Sequence, residues 1–390
     1  MPEMKSEIYL DHAATSFPKP PVVVKAVVKW AEQMGASAGR GDYPRAVRTG
    51  EMISSCRREL AQLLGLADPD RVIFTLNCTD AINLALRGLS LKKGDRVVVG
   101  PTEHNSVMRP LRLLQRTIGI DVVCLRASGE GSIDPADLAK ALSRKTRLVA
   151  IQHASNVLGA IHDLAALGRI ARARGATFLV DAAQTAGACP IDMARMRIDL
   201  LAVPGHKALQ GPLGTGALLV DSRIPLEAWR VGGTGSRSED EEHPEHYPDR
   251  LEAGSHNAPG IAGLLASLQW IRKRGVKNIR AHEETLLRRF LEGLDDFERD
   301  GRLRILGPRD ARRRSPVVTI APSRRDPRLL ASLLWKRHRI MVRPGLHCAP
   351  AAHRLGKTYP DGALRFSFGP FTSTAQIDAA LSALGRMLSR

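Results

Sequence analysis

From about residue 70 to residue 222 the chain alternates short runs rich in β-branched residues with segments of helical apolar period, and this alternation constrains the fold more than any other feature. The runs are "RVIFT" (71–75), "DRVVVG" (95–100), "VVCLRA" (122–127), "RLVAIQH" (147–153), "TFLVDAA" (177–183), "DLLAVP" (199–204) and "GALLVDS" (216–222). Predicted helices lie between them at Asp80–Leu89, from near Met108 to Thr117, and at Leu164–Arg174. Strands that alternate with helices predict an α/β fold with a mostly parallel, seven-stranded sheet covered on both faces. Ligands of such sheets bind in the crevice outside the carboxyl ends of the strands, so functional residues are expected just after strands.

The stretch 231–254, "VGGTGSRSEDEEHPEHYPDRLEAG", is glycine-rich, then acidic, and too long for an ordinary connection. It marks a functional loop and the end of a first domain. Beyond it the pattern turns to α+β: two amphipathic helices, a strand at "SPVVTIAP", a helix with Asp326 as N-cap and Pro327 at its first position, a strand at "ALRFSFGP", and a last helix opened by the capping box Ser373–Gln376. The expected division is a large domain over residues 15–255 and a smaller α+β domain over 256–390 joined by the N-terminal segment 1–14.

Composition narrows the class. The 390 residues are 43% hydrophobic and 25% charged, the balance of a soluble globular protein. Five scattered cysteines, without a C-x-x-C pair, indicate neither a disulfide framework nor zinc and point to a reducing compartment. The N-terminus lacks a signal-like apolar core and no run reaches roughly 18 apolar residues, so a cytoplasmic location without membrane contact is expected. The net charge of +18 raises nucleic acid as a partner. Aromatics are only 4% and are not interleaved with the basic runs, so a solvated basic surface is the reading adopted. His243 and His246 in "EEHPEH" fix no ligand geometry, and no metal is expected.

The chemistry gathers at strand ends. Lys207 follows "DLLAVP" and precedes a glycine-rich turn that lets backbone approach a bound group. That is the setting of a Schiff-base lysine for a carbonyl cofactor such as pyridoxal phosphate. Such a cofactor needs a carboxylate at its ring nitrogen, and Asp181 ends "TFLVD". Its phosphate needs backbone amides at a helix N-terminus, which Asn77, Cys78 and Thr79 begin. Its ring needs a stacking partner, and His104 follows a strand. Finally "RPGLHCAPAAHRLG" (343–356) holds Cys348 in a broken stretch beside Arg343 and His347, a setting that favours a reactive thiolate.

These segments resemble the cysteine desulfurase family, class V of the pyridoxal-phosphate aminotransferase fold (fold type I), in the branch with an R-x-G-x-H-C-A loop. The resemblance is carried by "YLDHAATS", "GRGDY", "FTLNCTDAINLAL", "TEHNSVMRPL", "SNVLGAIHDL", "VDAAQTAG", "GHKALQGPLGTG", "PDRLEAGSHNAPGIAGL", "RPGLHCAP" and "LRFSFG", in the family's order. It implies that Lys207 carries the cofactor, Asp181 meets the pyridine nitrogen, Gln184 the phenolic oxygen and His104 the ring face. Asn156 and Arg365, with Arg343, would hold the substrate carboxylate, and Cys348 would accept sulfur. Pro204 stands where the family often has a phosphate-binding hydroxyl, so Cys78, Thr79, His206 and backbone amides are expected to hold the phosphate. Ser255 replaces the threonine that reaches the neighbouring subunit's phosphate. The implied protein is a homodimer with shared sites that converts L-cysteine to L-alanine and passes persulfide sulfur from Cys348 to an acceptor protein. Selenocysteine, cysteine sulfinate, or other class V lyase or aminotransferase chemistry would use Lys207 and Asp181 alike. A basic nucleic-acid-binding protein on the same shell is the remaining alternative.

Overall fold

The computed structural model describes residues 7–38, 41–236 and 239–388. Residues 1–6 of the expected N-terminal segment, Gly39 and Arg40 of "GRGDY", and Arg237 and Ser238 of the long loop lie outside them.

The seven β-rich runs form one sheet in the spatial order Val72–Thr75, Gly216–Val220, Leu200–Pro204, Thr177–Asp181, Thr146–Gln152, Arg96–Val99, Asp121–Cys124. From Leu200–Pro204 to Asp121–Cys124 all pairings are parallel. Gly216–Val220 runs antiparallel to both its neighbours. The strands read as unbroken apolar runs because both faces are covered. Val98 packs into the core layer beneath helices Pro44–Leu64 and Ala258–Arg274, with Leu60 and Leu264. Val97 and Val99 pack into the opposite layer beneath helices Cys78–Gly88 and Asn105–Thr117, with Ile82 and Leu111. Each such fully buried aliphatic side chain stabilises the fold by about 1.5–3 kcal/mol.

A second, four-stranded antiparallel sheet has the order Arg343–Gly345, Ala363–Ser367, Val317–Pro322, Leu303–Leu306. Phe290, Leu334 and Leu384 bury against it from helices Val276–Glu292, Pro327–His338 and Thr374–Leu388. The expected caps form: Asp326 accepts from Arg328 N at 2.6 Å, and Ser373 and Gln376 exchange bonds of 3.0 and 3.2 Å. Near the N-terminus, Ile8–Tyr9 pairs with Ile340–Met341, and Ser367 N donates to Leu10 O at 2.8 Å. Asp11 is thereby delivered to the edge of the smaller sheet.

One helix begins earlier than the sequence reading placed it, at Asn105 rather than near Met108. The cap is His104, whose Nδ1 accepts from Ser106 N at 3.1 Å. Histidine is outside the usual capping set, so its role is invisible to composition. Among the described residues no helix is long and apolar enough to cross a membrane.

Candidate active site

The parallel register sets Gln152 beside Asp181 and Asp181 beside Ala202 at the carboxyl ends of three central strands. Asp181 is buried, and its Oδ1 accepts from Ala183 N at 2.9 Å and from the Cys78 thiol at 3.5 Å. Lys207 follows within a tight turn held by Gln210 N donating to Lys207 O at 2.8 Å and Gly211 N to Gly205 O at 2.7 Å. A Cβ on Gly205 would lie 2.0 Å from Thr215 Oγ1, so only glycine fits that approach. Burial pushes the Lys207 amine below its ordinary value, opposed by the charge of Asp181. An amine that loses its proton readily is the form able to attack a carbonyl.

His104 faces the same cleft. Burial pushes its pKa down to about 4, so the ring is neutral. Since Nδ1 accepts the Ser106 amide, its single proton sits on Nε2. Across the cleft, Asn77 Oδ1 takes Asp80 N at 3.0 Å at the start of helix Cys78–Gly88. The amides of Cys78 and Thr79 stay open at the positive end of the helix, with the exposed Thr79 beside them. Gln184 is oriented by its 3.1 Å donation to Ala13 O. His206 holds its carbonyl under Ser16 N (3.0 Å) and Lys19 Nζ (2.8 Å), while its ring Nδ1 has no partner.

The smaller sheet reaches this cleft through Asn156, which lines it. Arg365 Nη1 donates to Asn156 O at 3.2 Å and Nη2 to Asp11 Oδ1 at 2.9 Å. Arg343 Nε and Nη2 hold Asp11 Oδ2 at 2.9 and 2.8 Å. Both arginines expected to meet a substrate carboxylate therefore already share one internal carboxylate. Asp11 received no role from the sequence reading. The signal was present: a lone acid among the small residues of "YLDHAATS", which burial would require to be paired. Arg365 Nε and Asn156 Oδ1 remain buried without partners.

Cys348 lies between strand Arg343–Gly345 and the short helix Pro350–Leu355, so its surroundings are more regular than the expected broken loop. His347 and Cys348 are both left-handed, at φ 52° and 55°. That conformation costs about 1–2 kcal/mol per non-glycine residue. It is offset by Asn156 Nδ2 donating to His347 O at 2.7 Å and Asn105 N to Cys348 O at 2.8 Å. The turn is thus docked on the cap of the His104 helix, and Cys348 is exposed.

One expectation needs correction. His347 does not supply positive charge to the thiol: burial, then the nearby Arg365, push its pKa down to about 3. Cys124 is exposed, as Cys348 is. Burial raises the Cys124 thiol, and pushes Cys189 up to about 12. Ser255 lines a separate pocket with Phe74 and Arg230, outside the Lys207 cleft of its own chain. His243 Nε2 meets Arg250 O at 3.1 Å and His246 Nε2 meets Asp249 at 3.1 Å.

The residues fit a carbonyl cofactor with an anionic arm. A neutralisable lysine and a buried carboxylate share one cleft whose rim includes an open helix N-terminus. Asn156 Oδ1 and His206 Nδ1, on residues that line this cleft, and Arg365 Nε have no partner among the described residues. Each unsatisfied atom costs about 1–3 kcal/mol, which a polar ligand could recover.

Comparison with known proteins agrees. The family model for aminotransferase class-V matches residues 8–380. The chain is 34% identical to a probable cysteine desulfurase of Methanothermobacter thermautotrophicus, over 97% of this chain and 94% of that one. It is 34% identical to a probable cysteine desulfurase of Pyrococcus abyssi, over 100% and 96%. The apo structure of a cysteine desulfurase from Thermococcus onnurineus superposes with a TM-score of 0.92 at 32% identity, covering 98% of this chain and 95% of the other.

Proposed function

We propose a function from one premise: this chain belongs to the aminotransferase class-V family, whose members work with pyridoxal 5'-phosphate. It is a cysteine desulfurase that takes sulfur from L-cysteine, releases L-alanine and carries the sulfur as a persulfide on Cys348. The observation that carries this reading is that Lys207, Asp181, His104 and Asn156 line one cleft, and the Cys348 turn is bonded to Asn156 and to Asn105 beside His104.

When bound, pyridoxal phosphate supplies a carbonyl that links to amines and a ring that draws electrons from bonds at the substrate Cα. Lys207 would bond its carbonyl, Asp181 its ring nitrogen and Gln184 its phenolic oxygen, with the neutral His104 against the ring. The amides of Cys78 and Thr79, the Thr79 hydroxyl and His206 would hold the phosphate, with Ser255 contributed by a second subunit. Pro204 has no N–H to donate, which puts that work on the helix N-terminus.

Arg365 and Asn156 anchor the substrate carboxylate, using the donor Nε that lacks a partner in the free protein. Once displaced, Lys207 removes the Cα proton as general base, a role suited to an amine whose pKa is lowered by burial. Cys348 then attacks the cysteine sulfur: the C–S bond breaks, an S–S bond forms, the bonding pair stays with Cβ, which takes a proton, and Lys207 returns the proton to Cα to give alanine. The protein acts in the cytoplasm as a homodimer, and an exposed Cys348 can hand its sulfur to an acceptor protein. The test is to add L-cysteine to the holoenzyme, quantify alanine, and locate added sulfur by mass spectrometry. One added sulfur on the Cys348 peptide with stoichiometric alanine is expected; sulfur on another cysteine, or alanine without any protein persulfide, would overturn the reading.

A further inference from the structure

His347 is joined to a second histidine that no part of the mechanism above uses. His347 Nε2 bonds Arg343 O at 2.9 Å, His347 Nδ1 meets His353 Nε2 at 3.1 Å, and His353 Nδ1 meets Thr358 Oγ1 at 2.7 Å. The proton positions follow from the ends of this chain. A carbonyl only accepts, so His347 Nε2 carries its hydrogen. Burial keeps both rings neutral, with pKa values pushed down to about 3 and about 4, so neither ring has a second proton to place. His347 Nδ1 must then accept, His353 Nε2 must donate, and His353 Nδ1 must accept from the Thr358 hydroxyl. Every bond therefore points the same way, from Thr358 toward Arg343.

His353 is fully buried, on the short helix that follows the thiol. Burying a histidine whose two ring nitrogens are both engaged is not a requirement of packing, for an apolar residue would fill the space without polar constraint. What the pair does accomplish is local. His347 is the first of the two left-handed residues, its carbonyl is held by Asn156, and its ring closes back onto Arg343, which flanks Asp11. Were His347 in the other tautomer, Nε2 would face the Arg343 carbonyl without a hydrogen and the ring would lose that anchor.

We propose that His353, backed by Thr358, is a positioning residue that fixes the Nε2–H tautomer of His347 and so holds the Cys348 turn in the geometry that presents its thiol to the cleft. The inference rests on the desulfurase reading for the meaning of that thiol, but the tautomer itself can be tested apart from turnover. In the full-length holoenzyme, ring ¹⁵N spectra of His347 should show a protonated Nε2 and an unprotonated Nδ1. In His353→Phe, which has no donor, the His347 signals should move to averaged tautomer positions. The kcat for cysteine should fall about tenfold to a hundredfold with KM little changed, as misplacement of a reacting group by about 1 Å can do. His353→Gln places an amide donor where Nε2 lies, and should restore the wild-type tautomer and kcat to within about threefold. Thr358→Val should move the His353 spectrum, with Thr358→Ser restoring it. A protonated Nδ1 on His347 in the wild-type protein would overturn the proposal, as would His353→Phe with wild-type kcat. If the wild-type enzyme proved inert toward cysteine, the desulfurase reading would fail, and the wild-type spectrum would still decide this inference.

Discussion

Lys207 and Cys348 are held by opposite kinds of structure. Lys207, Asp181 and His104 stand at the ends of strands whose two faces are covered, where the backbone is fixed by a core of Val97, Val98, Leu148, Val149, Phe178 and Leu201. Cys348 stands on an exposed left-handed turn fixed by hydrogen bonds from Asn156 and Asn105, beside a small cluster that includes Val157, Leu306, Ala349 and Ala352. In the proposed mechanism the difference follows from the work each would perform. Proton transfer at a bound substrate needs rigid, desolvated groups with altered pKa values. A sulfur carrier must also meet a partner outside the cleft, which a buried strand end cannot do.

Removing a group from the rigid side should therefore stop the chemistry while leaving the turn untouched. Lys207→Ala is expected to lower alanine formation by at least about a thousandfold, the scale of losing a nucleophile that also serves as base. Borohydride should fix the cofactor to the wild-type chain and not to this variant. Alkylation of Cys348 should proceed at its wild-type rate. Near-normal turnover by Lys207→Ala would break the division of labour outright.

The complementary change removes the thiol of the exposed turn. Cys348→Ala should retain cofactor and bind cysteine, yet form alanine at a rate about a hundredfold or more below wild type. Selenocysteine and cysteine sulfinate carry better leaving groups, so part of their turnover should survive. Comparable loss with all three substrates would show that Cys348 supports the cleft as well as receiving sulfur.

Between the two lies the arginine pair. Arg365→Ala should cost roughly 2–5 kcal/mol of transition-state binding, about thirty-fold to several thousand-fold in kcat/KM. Asp11→Asn keeps the shape but removes the charge that neutralises Arg343 and Arg365 together. A smaller drop in kcat/KM, about tenfold, is expected, read chiefly in KM for cysteine. An Arg365→Ala enzyme with unaltered kcat/KM would take Arg365 out of the substrate site.

The regions also differ in how far they could be read from sequence. Strands buried on both faces announce themselves as apolar runs, and a lysine or aspartate just beyond such a run stands out. That is why the seven-stranded sheet was legible, and why Lys207 and Asp181 were singled out. The turn side depends on pairings that no local pattern encodes: Asp11 meets Arg365 across 354 positions of chain. His347 looked like a source of positive charge because residue type is visible in a sequence and desolvation is not. His104 as a helix cap and His353 as its neighbour's partner were missed for the same reason, since each role is set by which nitrogen the fold engages.

The smallest expected effect concerns pH. Burial depresses seven histidines from an ordinary value of 6.5: His12, His104, His162, His206 and His353 to about 4, and His153 and His347 to about 3. A histidine whose folded pKa is depressed binds its proton more readily when unfolded. Its stabilising contribution is complete above about 6.5 and is lost as pH falls toward 4. Glu103 and Glu283 act in the opposite sense. Burial raises both from 4.5 to about 8, so their contribution is complete below about 4.5 and lost as pH rises to 8. Among the described residues these seven groups outweigh the two glutamates on the acid side, so thermal stability should fall more steeply below about pH 6.5 than above it. The comparison sharpens in where opening begins. His347 sits in the exposed turn and His353 on the short helix after it, whereas His153 is bonded to Asp181 O at the end of a central strand, so local opening is expected first at the turn. Hydrogen exchange at residues 346–358 should accelerate between pH 7 and pH 5 before that of 148–152 and 177–181. Simultaneous acceleration of both would show that the turn shares the cooperativity of the sheet and is no less rigid than the lysine it faces.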